Sequence, residues 1–303
     1  MMKKLADIVL KAKALGKQTR IAVAVAEDAN TIGAVIRAKR EGFIHPIMIG
    51  NQARIEELLK EQGFSSDGFE IINLPCETQA TKEAVRIVRA GEADVLMKGL
   101  ISTDKYLKAV LDKEKGLLPA GAVMSYTCAL EIPLYRKLLF ISDTAVLPNP
   151  DLSQKIAMIN YSVNMARHLG VQCPKVALVS CTEKVSGNMQ HTVDYALISK
   201  MAERGQITNC IVDGPLDIFL ACDPGSLQVK GINTPIAGDA DILIFPNLDA
   251  ANSFYKGLML FAGAELAGLI QGTTKPVIVM SRSESENSKY YCIALSCLMA
   301  EEL

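Results

Sequence analysis

Two stretches near the C-terminus decide the fold: PIAGDADILIFPNLDAANSFYK (235–256) and IQGTTKPVIVMSRS (270–283). Each contains a short apolar run, 242–245 in the first and 277–280 in the second, that stops at polar turn residues. Apolar runs of this length, bounded by turn residues, indicate buried strands. Because ligands of α/β sheets bind beyond the carboxyl ends of the strands, we expect the polar residues that follow to face a ligand.

The same pattern continues outward through the rest of the chain, where strand-like apolar runs alternate with segments of helical periodicity. This alternation is typical of βαβ units and predicts an α/β fold with mostly parallel sheets. The N-terminal segment predicts an amphipathic helix with Leu5, Ile8, Val9 and Ala12 on one side. The predicted strands are 21–26, 46–49, 70–74, 95–97, 138–142, 176–179, 210–212, 242–245 and 277–280, and the other predicted helices are about 31–40, 51–62, 78–90, 151–168, 188–203, 249–264 and 285–301.

The number of strands indicates two domains. About ten strands are many for one compact sheet, so we expect two α/β domains with a cleft between them. The clearest break is the turn-rich segment DTAVLPNP (143–150). Asp213-Gly214-Pro215 predicts a further turn, with Pro215 at the first position of a helix.

The composition is aliphatic and nearly neutral. Of the 303 residues 50% are apolar, and 32 basic against 33 acidic residues give a formal net charge of −1. This balance argues against a bulk nucleic-acid binder, which usually has a basic excess. No apolar run approaches the roughly 20 residues of a membrane span. Charges interrupt the N-terminal segment, so we expect no signal peptide and a cytoplasmic protein.

Several kinds of site find no support in the sequence. The eight cysteines form no CxxC pair and have no closely spaced histidine, so we expect buried reduced thiols and no zinc. GxGxxG after the first strand, GxxxxGK[ST], HExxH and GxSxG are all absent. The corresponding phosphate loops, metal-binding helix and nucleophile elbow are therefore unsupported.

The segment MKGLIST (97–103) is a candidate anion site. Lys98 follows a predicted strand, and Ser102 or Thr103 can cap the next helix, whose free amides favour an anion. The alternative is a turn glycine, an ordinary helix cap and an exposed lysine.

A second strand exit is rich in hydroxyl groups. Ser180 and Thr182 follow the predicted strand 176–179 and flank Cys181. No histidine lies near Cys181 in sequence, so a structural cysteine is favoured over a nucleophile. His191 falls in the next helix and is expected at the surface or as a cap, not as a base.

The two C-terminal stretches supply the remaining candidates. Asn252 and Lys256 lie four residues apart and hence on one face of a helix. Ser281 and Arg282 place a hydroxyl and a fixed cation at a strand end, and a guanidinium can bind an oxyanion through two hydrogen bonds. This pairing suits a substrate with an anionic group next to a polarisable carbonyl.

Taken together, the segments resemble the phosphate acetyl/butyryl transferase family, and its butyryltransferase branch most. The resemblance implies two α/β/α three-layer domains with mostly parallel sheets and an interdomain cleft, like isocitrate and isopropylmalate dehydrogenases. It implies domains of 1–145 plus 275–303, and 146–274, in a homodimer or higher homo-oligomer. The segments that carry it are AVAEDANTIGAV (24–35), LMKGLIST (96–103), KVALVSCTEKVSGNM (175–189), VDGPLD (212–217), AGDADILIFPNLDAANSFYK (237–256) and IQGTTKPVIVMSRS (270–283).

The implied reaction moves a short-chain acyl group between CoA and inorganic phosphate by direct attack in a ternary complex. It needs no metal or permanently bound cofactor, and acyl-CoA, phosphate and acyl phosphate are the implied ligands. By resemblance, Ser281 hydrogen-bonds the acyl carbonyl and Arg282 binds phosphate. The residues implied to contact phosphate or CoA are Lys98, Thr103, Lys108, Ser180, Thr182, Asn252 and Lys256.

Two positions depart from the family pattern. The acetyl-specific relatives carry an aspartate, taken as base for the CoA thiol, at the position of Ser288. Glu284 and Glu286 are close but out of register, so the proton acceptor stays open, and the departure favours the butyryl branch. Lys108 stands where relatives carry an arginine, and lysine lacks the bidentate geometry.

Three alternatives stay open at this point. A metal-dependent decarboxylating dehydrogenase would need a cluster of aspartates, for which Asp213, Asp217, Asp239 and Asp241 are the candidates. A non-catalytic module that binds acyl-CoA or acyl phosphate is the second alternative, and an acetyl-specific enzyme is the third.

Overall fold

The computed structural model describes residues 2–281 and 284–301. By its internal contacts the chain divides into two compact units. The central unit comprises Met1–Leu5 and Ser125–Leu266, and the terminal unit comprises Ala6–Met124 and Ala267–Leu303. The domain bounds expected from the sequence stay a prediction.

Strands and helices alternate along the described residues, which confirms the predicted α/β class. The strands are β1 Thr19–Ala24, β2 Ile44–Gly50, β3 Glu70–Asn73, β4 Val95–Lys98, β5 Ser125–Glu131, β6 Leu139–Ser142, β7 Lys175–Val179, β8 Ile211–Leu216, β9 Ile242–Ile244, β10 Glu265–Gln271 and β11 Val277–Ile278. The helices are α1 Leu5–Lys13, α2 Ala29–Arg40, α3 Gln52–Glu61, α4 Glu77–Arg89, α5 Thr103–Val110, α6 Leu152–His168, α7 Gln190–Glu203, α8 Ile218–Cys222, α9 Pro224–Lys230, α10 Leu248–Ala262 and α11 Glu286–Ala300.

In the terminal unit the strand order is β3-β2-β1-β4-β11-β10. The first five strands run parallel, and β10 pairs antiparallel with β11 through Ile270 and Val277. Helix α11 is buried almost throughout and packs against α2 and β11. The parallel register brings the carboxyl ends of β1, β4 and β11 to one edge of the sheet.

In the central unit the strand order is β5-β6-β9-β7-β8. Strands β6, β9, β7 and β8 are parallel, and only the β5–β6 pair is antiparallel in this order. The polar segments after β7 and β9 therefore leave the sheet at the same edge. Ser180 and Thr182 follow β7, and the helix that carries Asn252 and Lys256 follows β9.

Two strands were absent from the sequence-based prediction. Six of the seven residues of β5 are buried, so it lacks the alternation that marks a half-exposed strand. Strand β10 follows α10 after Gly263, whose backbone has φ 64°, and the apolar run through both elements hides the boundary. Each of these two strands forms an antiparallel pair, β5 with β6 and β10 with β11.

The predicted turn at Asp213-Gly214-Pro215 is wrong, because these residues lie inside strand β8. Strand β8 is the outer strand in the order of the central unit, where a proline costs no ladder hydrogen bond. A Cβ at Gly214 would lie 2.6 Å from the Leu178 Cβ, so close strand contact requires the glycine. The next helix begins after Asp217, which caps it.

The buried residues match the predicted amphipathic N-terminal helix, since Leu5, Ile8, Val9 and Ala12 are all buried. The expectation of uniformly buried thiols is wrong: all eight cysteines are free, but Cys76, Cys173 and Cys181 are exposed. Among the described helices, none is both long and apolar enough to cross a membrane.

Candidate active site

The carboxyl edge of the terminal unit brings MKGLIST and Ser281 together. Ala24 pairs with Lys98 in the β1–β4 register, and Met97 pairs with Ile278 in the β4–β11 register. The chain therefore leaves β4 and β11 side by side. Ser281, three residues beyond β11, is exposed at this edge.

Lys98 is buried at the end of β4, with only 4% of its surface exposed. Its Nζ donates hydrogen bonds to the Gly99 carbonyl at 3.3 Å and to the Met280 carbonyl at 3.4 Å. The alternative of an ordinary exposed lysine is therefore wrong. A buried ammonium beside the carbonyl that precedes Ser281 supplies positive potential at this edge, which favours an anion.

Close backbone packing fixes the position of Lys98. The Gly99 N–H donates to the Ala24 carbonyl at 2.9 Å, and the Leu100 N–H donates to the Val25 carbonyl at 2.7 Å. A Cβ on Gly99 would lie 2.1 Å from the Val25 carbonyl oxygen, so only glycine fits. Val25 itself has φ 56°, in the left-handed region.

Helix α5 begins at the same exit and carries two further predicted residues. Ser102 is its N-cap and accepts a hydrogen bond from the Lys105 N–H at 3.4 Å. Thr103 follows as the first helical residue and is partly exposed, whereas Lys108 is exposed in the last turn. Five residues span about 7.5 Å along a helix, so Lys108 lies well away from the N-terminal amides.

The C-terminal part of this edge is described except at residues 282 and 283. The Ser281 N–H donates to the Glu284 carboxylate. Arg282, the predicted phosphate-binding residue, lies outside the described residues. Ser288 occupies the position at which the acetyl-specific relatives carry an aspartate. It is fully buried in the first turn of α11.

In the central unit, Ser180 and Thr182 follow β7 as predicted. Ser180 is 6% exposed, and its Oγ lies 3.0 Å from the His191 Nε2. Thr182 is partly exposed, and its Oγ1 accepts from the Lys184 N–H at 3.2 Å. His191 therefore contacts Ser180, a predicted site residue. The sequence did not indicate this contact, because a whole loop separates the two residues.

A buried ion pair adjoins this histidine. Lys155 on α6 and Asp194 on α7 are 3% and 6% exposed, and their Nζ and Oδ2 atoms are 2.7 Å apart. Burial lowers the pKa of His191 and the charge of Lys155 lowers it further, against an opposing effect of Asp194. The imidazole is therefore neutral at pH 7 and can accept a proton.

These residues line a cavity of about 620 Å³ that lies wholly within the central unit. It opens at the starts of α6, α7 and α10, next to the carboxyl ends of β7 and β9. Its polar lining includes Asn149, Lys155, Asn188, His191, Asp194 and Asn247. None of these residues was a site prediction, because the cavity is assembled from three segments far apart in sequence.

Asn252 and Lys256 lie on α10 in the central unit. The Asn252 Nδ2 donates to the Thr144 carbonyl at 2.9 Å and so holds the segment after β6. Lys256 is exposed one turn later. Of the two residues, Asn252 therefore contacts the backbone of the protein and Lys256 faces solvent.

The segment after β6 is fixed by a buried carboxylate. Asp143 is 2% exposed and accepts hydrogen bonds from the Ser125 hydroxyl and the Tyr126 N–H, both at 2.9 Å. The N–H groups of Ala145 and Val146 donate to its other oxygen at 2.8 Å. Burial raises the pKa of Asp143 although these hydrogen bonds oppose it.

The aspartates considered for a metal site are committed to other partners. Asp217 caps α8 and pairs with Lys230 at 2.6 Å, and Asp241 pairs with Lys137 at 2.6 Å. Asp213 accepts from the Thr234 hydroxyl, and Asp239 contacts Lys137 at 2.9 Å. Within residues 2–281 and 284–301, no group of three or more His, Cys, Asp or Glu side chains could hold a metal ion.

Comparison with known proteins shows the family to which the chain belongs. The sequence matches the family described as phosphate acetyl/butaryl transferase over residues 4–87 and 74–297. It is 37% identical to a phosphate butyryltransferase of Clostridium acetobutylicum over 300 residues, which is 99% of each chain. It is 42% identical to a phosphate acetyltransferase of Thermotoga maritima over 287 residues, covering 95% of this chain and 97% of that one.

A solved structure shows the same fold. The structure is similar to a branched-chain phosphotransacylase from Enterococcus faecalis, with a TM-score of 0.81 and 28% sequence identity. The similarity covers 93% of this chain and 99% of that chain. The relatives thus agree on a class of reaction and differ in the acyl group that they are named for.

Proposed function

Because the chain belongs to the phosphate acetyl/butaryl transferase family, we propose that it transfers a short-chain acyl group between CoA and inorganic phosphate. The resemblance found in the sequence is confirmed by this membership, which extends over nearly the whole chain. The observation that supports a catalytic chain most is the hydrogen bond from the buried Lys98 to the carbonyl of Met280, the residue before Ser281, at the carboxyl edge of the terminal unit.

In the proposed reaction a phosphate oxygen attacks the thioester carbonyl carbon, and the carbon–sulfur bond then breaks. Acyl phosphate and CoA thiolate form, and the thiolate takes up the proton that the attacking hydrogen phosphate gives up. The Ser281 hydroxyl donates a hydrogen bond to the carbonyl oxygen, where negative charge develops in the transition state. Arg282 holds phosphate through its two parallel N–H donors, and Lys98 adds positive potential. No covalent acyl-enzyme is required, because positioning of two bound substrates supplies much of the catalysis.

Further substrate contacts are proposed in both units. Thr103 and Lys108 are assigned to the terminal unit, and Ser180, Thr182, Asn252 and Lys256 to the central unit. CoA is a substrate here and not a permanently bound cofactor. The acyl group is proposed to be butyryl or a similar short chain, and the identity to a relative named for acetyl transfer makes acetyl the competing choice.

The test is phosphate-dependent release of free CoA thiol from butyryl-CoA. We expect release by the wild type and strong loss in Ser281→Ala and Arg282→Ala. The matched control is Lys105→Met, an exposed lysine of α5 that pairs with Glu77 at 3.0 Å, and it should retain full activity. Acetyl-, isobutyryl- and butyryl-CoA compared at equal concentration rank the acyl preference.

Two outcomes would replace the proposal. If no acyl-CoA were turned over while CoA still bound, the chain would be a non-catalytic acyl-CoA binding module. If acetyl-CoA were strongly preferred over the longer donors, the chain would be a phosphate acetyltransferase.

We also propose self-association through the central unit. Among the described residues, seven of the nine exposed large apolar side chains lie in this unit. Only Ala251 and Tyr255 of helix α10 are buried, whereas Leu260 and Phe261 are 76% and 86% exposed. Residues 258–261 carry no charge, so two copies can meet there without repulsion, as the common two-fold dimers do.

Light scattering on the eluted protein tests this assembly. The wild type should show at least twice the 32.7 kDa chain mass, and Phe261→Glu should shift it toward a single chain. A monomeric wild type would contradict the proposal. Free and partly exposed thiols suit a reducing compartment, so we propose a cytoplasmic location.

A further inference from the structure

The cavity in the central unit has the size and position of a ligand site. Its volume of about 620 Å³ falls within the range of small-molecule pockets. Ser180 at the end of β7 contacts its lining through His191, and Pro246 and Asn247 at the end of β9 form part of the wall. It therefore lies at the carboxyl ends of parallel strands, where α/β sheets bind ligands.

The charges of this cavity are compensated within the protein. The Lys155 ammonium donates to the Asp194 carboxylate and to the Pro150 carbonyl, both at 2.7 Å. The other Asp194 oxygen accepts from the Gln190 side chain at 2.9 Å. Asp151 caps α6 and adds a further negative charge to the lining. The lining has no surplus cation, and side chains of Asp151 and Asn247 already cap the starts of α6 and α10, so it does not suit a phosphate group.

The uncharged polar groups of the cavity are mostly unused. Within the described residues, the side-chain amides of Asn149 and Asn188 are exposed to solvent and have no hydrogen-bond partner in the protein. Asn247 uses its Oδ1 to accept from the Ala250 N–H at 2.9 Å, which leaves its NH₂ group available. Such amides offer both donors and acceptors, so they suit a ligand that itself carries amide groups.

We propose that this cavity binds the pantetheine arm of CoA, which deepens and rests on the function proposed above. Acyl-CoA has a highly charged nucleotide, an uncharged arm with two amides, and a thioester. The arm is the part whose charge and hydrogen-bonding groups match the lining. The adenine ring is also uncharged, and an acyl donor that lacks the nucleotide distinguishes it from the arm.

The pocket walls also fit the apolar parts of such an arm. The apolar residues of the lining are Pro150, Leu152, Met189 and Pro246. An arm of methylene and methyl groups between two amides can contact these side chains while its amides face the asparagines. Pockets for small molecules commonly combine apolar walls with a few placed polar groups.

The experiment compares two acyl donors that share the arm. S-butyryl-CoA carries the nucleotide and S-butyryl-pantetheine lacks it. The double variant Asn149→Leu/Asn188→Leu keeps side-chain size and removes both amides. We expect KM to rise by about tenfold for both donors, with kcat and the KM for phosphate little changed, because hydrogen bonds between neutral groups are lost. The control is Asn160→Leu, an exposed asparagine of α6 outside the cavity, which should change neither KM.

Two results would overturn the proposal. A rise in KM for butyryl-CoA alone would assign the cavity to the nucleotide, and unchanged KM values for both donors would show that the arm binds elsewhere. Calorimetric titration with free pantetheine separates this inference from the reaction, since it needs no turnover. Binding to the wild type that is weakened in the double variant supports the site even if no donor is turned over, and absence of binding to the wild type refutes it.

Discussion

The buried pair of Lys155 and Asp194 makes a quantitative prediction about stability. At 2.7 Å and an effective dielectric constant near 20, two unit charges attract by about 6 kcal/mol. Desolvation of both charges cancels much of this attraction, but removal of one partner leaves the other buried and unpaired, which costs about 3–5 kcal/mol. We expect Asp194→Asn to lose about 3 kcal/mol, at the lower end because the amide oxygen still accepts from Lys155. Lys155→Met should lose a similar amount.

The assay is urea unfolding followed by far-UV circular dichroism, for wild type, both single variants and the double variant. The double variant should be more stable than the sum of the single losses predicts, by about 2 kcal/mol, because it leaves no unpaired charge. Lys200→Met is the control: Lys200 forms a 2.7 Å pair on the same helix α7, but both partners are more than half exposed, so no measurable change is expected. If the loss of unfolding free energy in the double variant equalled the sum of the two single losses to within about 0.5 kcal/mol, the reasoning would be refuted.

The same pair predicts a pH dependence. Burial tends to raise the pKa of Asp194, but hydrogen bonds from Lys155 and Gln190 outweigh it and the pKa is lowered. A carboxylate with a lowered folded pKa stabilises the protein above its unfolded pKa of about 3.9, and this contribution is lost as the pH falls. The stability difference between wild type and Asp194→Asn should therefore narrow below about pH 4. A constant difference would contradict the assignment.

Three further predictions concern other parts of the molecule. Gly99→Ala should destabilise the fold by about 1–3 kcal/mol in urea unfolding, since its Cβ would meet the Val25 carbonyl oxygen at 2.1 Å, whereas Gly187→Ala has open space and should be neutral. Because the pKa of His191 is lowered, its neutral form stabilises the fold above the unfolded pKa of about 6.5, and this stabilisation is lost as the pH decreases. An NMR titration of the ring should give a midpoint below about 6.5. A midpoint above about 7 would contradict the prediction. Lys98→Met should lower kcat/KM by about 100-fold through lost stabilisation of developing negative charge, with Lys105→Met unchanged, and a fully active Lys98→Met enzyme would remove Lys98 from the site.

Sequence periodicity identified most of the secondary structure, and its failures have local causes. Strand β5 was missed because it is buried on nearly all sides and so shows no alternation. The segment around Pro215 has the residues of a turn but lies in an outer strand, where tertiary position overrides the turn signal. Both errors have the same origin: the pattern of residue types along the chain depends on burial as well as on backbone conformation, and the two effects cannot be separated without the tertiary structure.

Of the candidate site, the strand exits were predictable and their surroundings were not. Lys98 was expected at the end of β4, but its burial and its hydrogen bond to the carbonyl of Met280, a residue distant in sequence, were not. His191 was expected at the surface, yet it reaches Ser180 because α7 returns to the end of β7.

The sequence alone therefore determined the α/β class, the family and the strand ends that carry Ser281, Lys98 and Ser180, because these follow from runs of consecutive residues. Only the tertiary structure decided which side chains surround them. The Lys155–Asp194 pair joins α6 to α7, and the asparagine-lined cavity combines residues at the starts of these helices with residues that precede α10. Burial, charge compensation and pKa depend on distances in space, and a pattern of neighbours along the chain does not contain those distances.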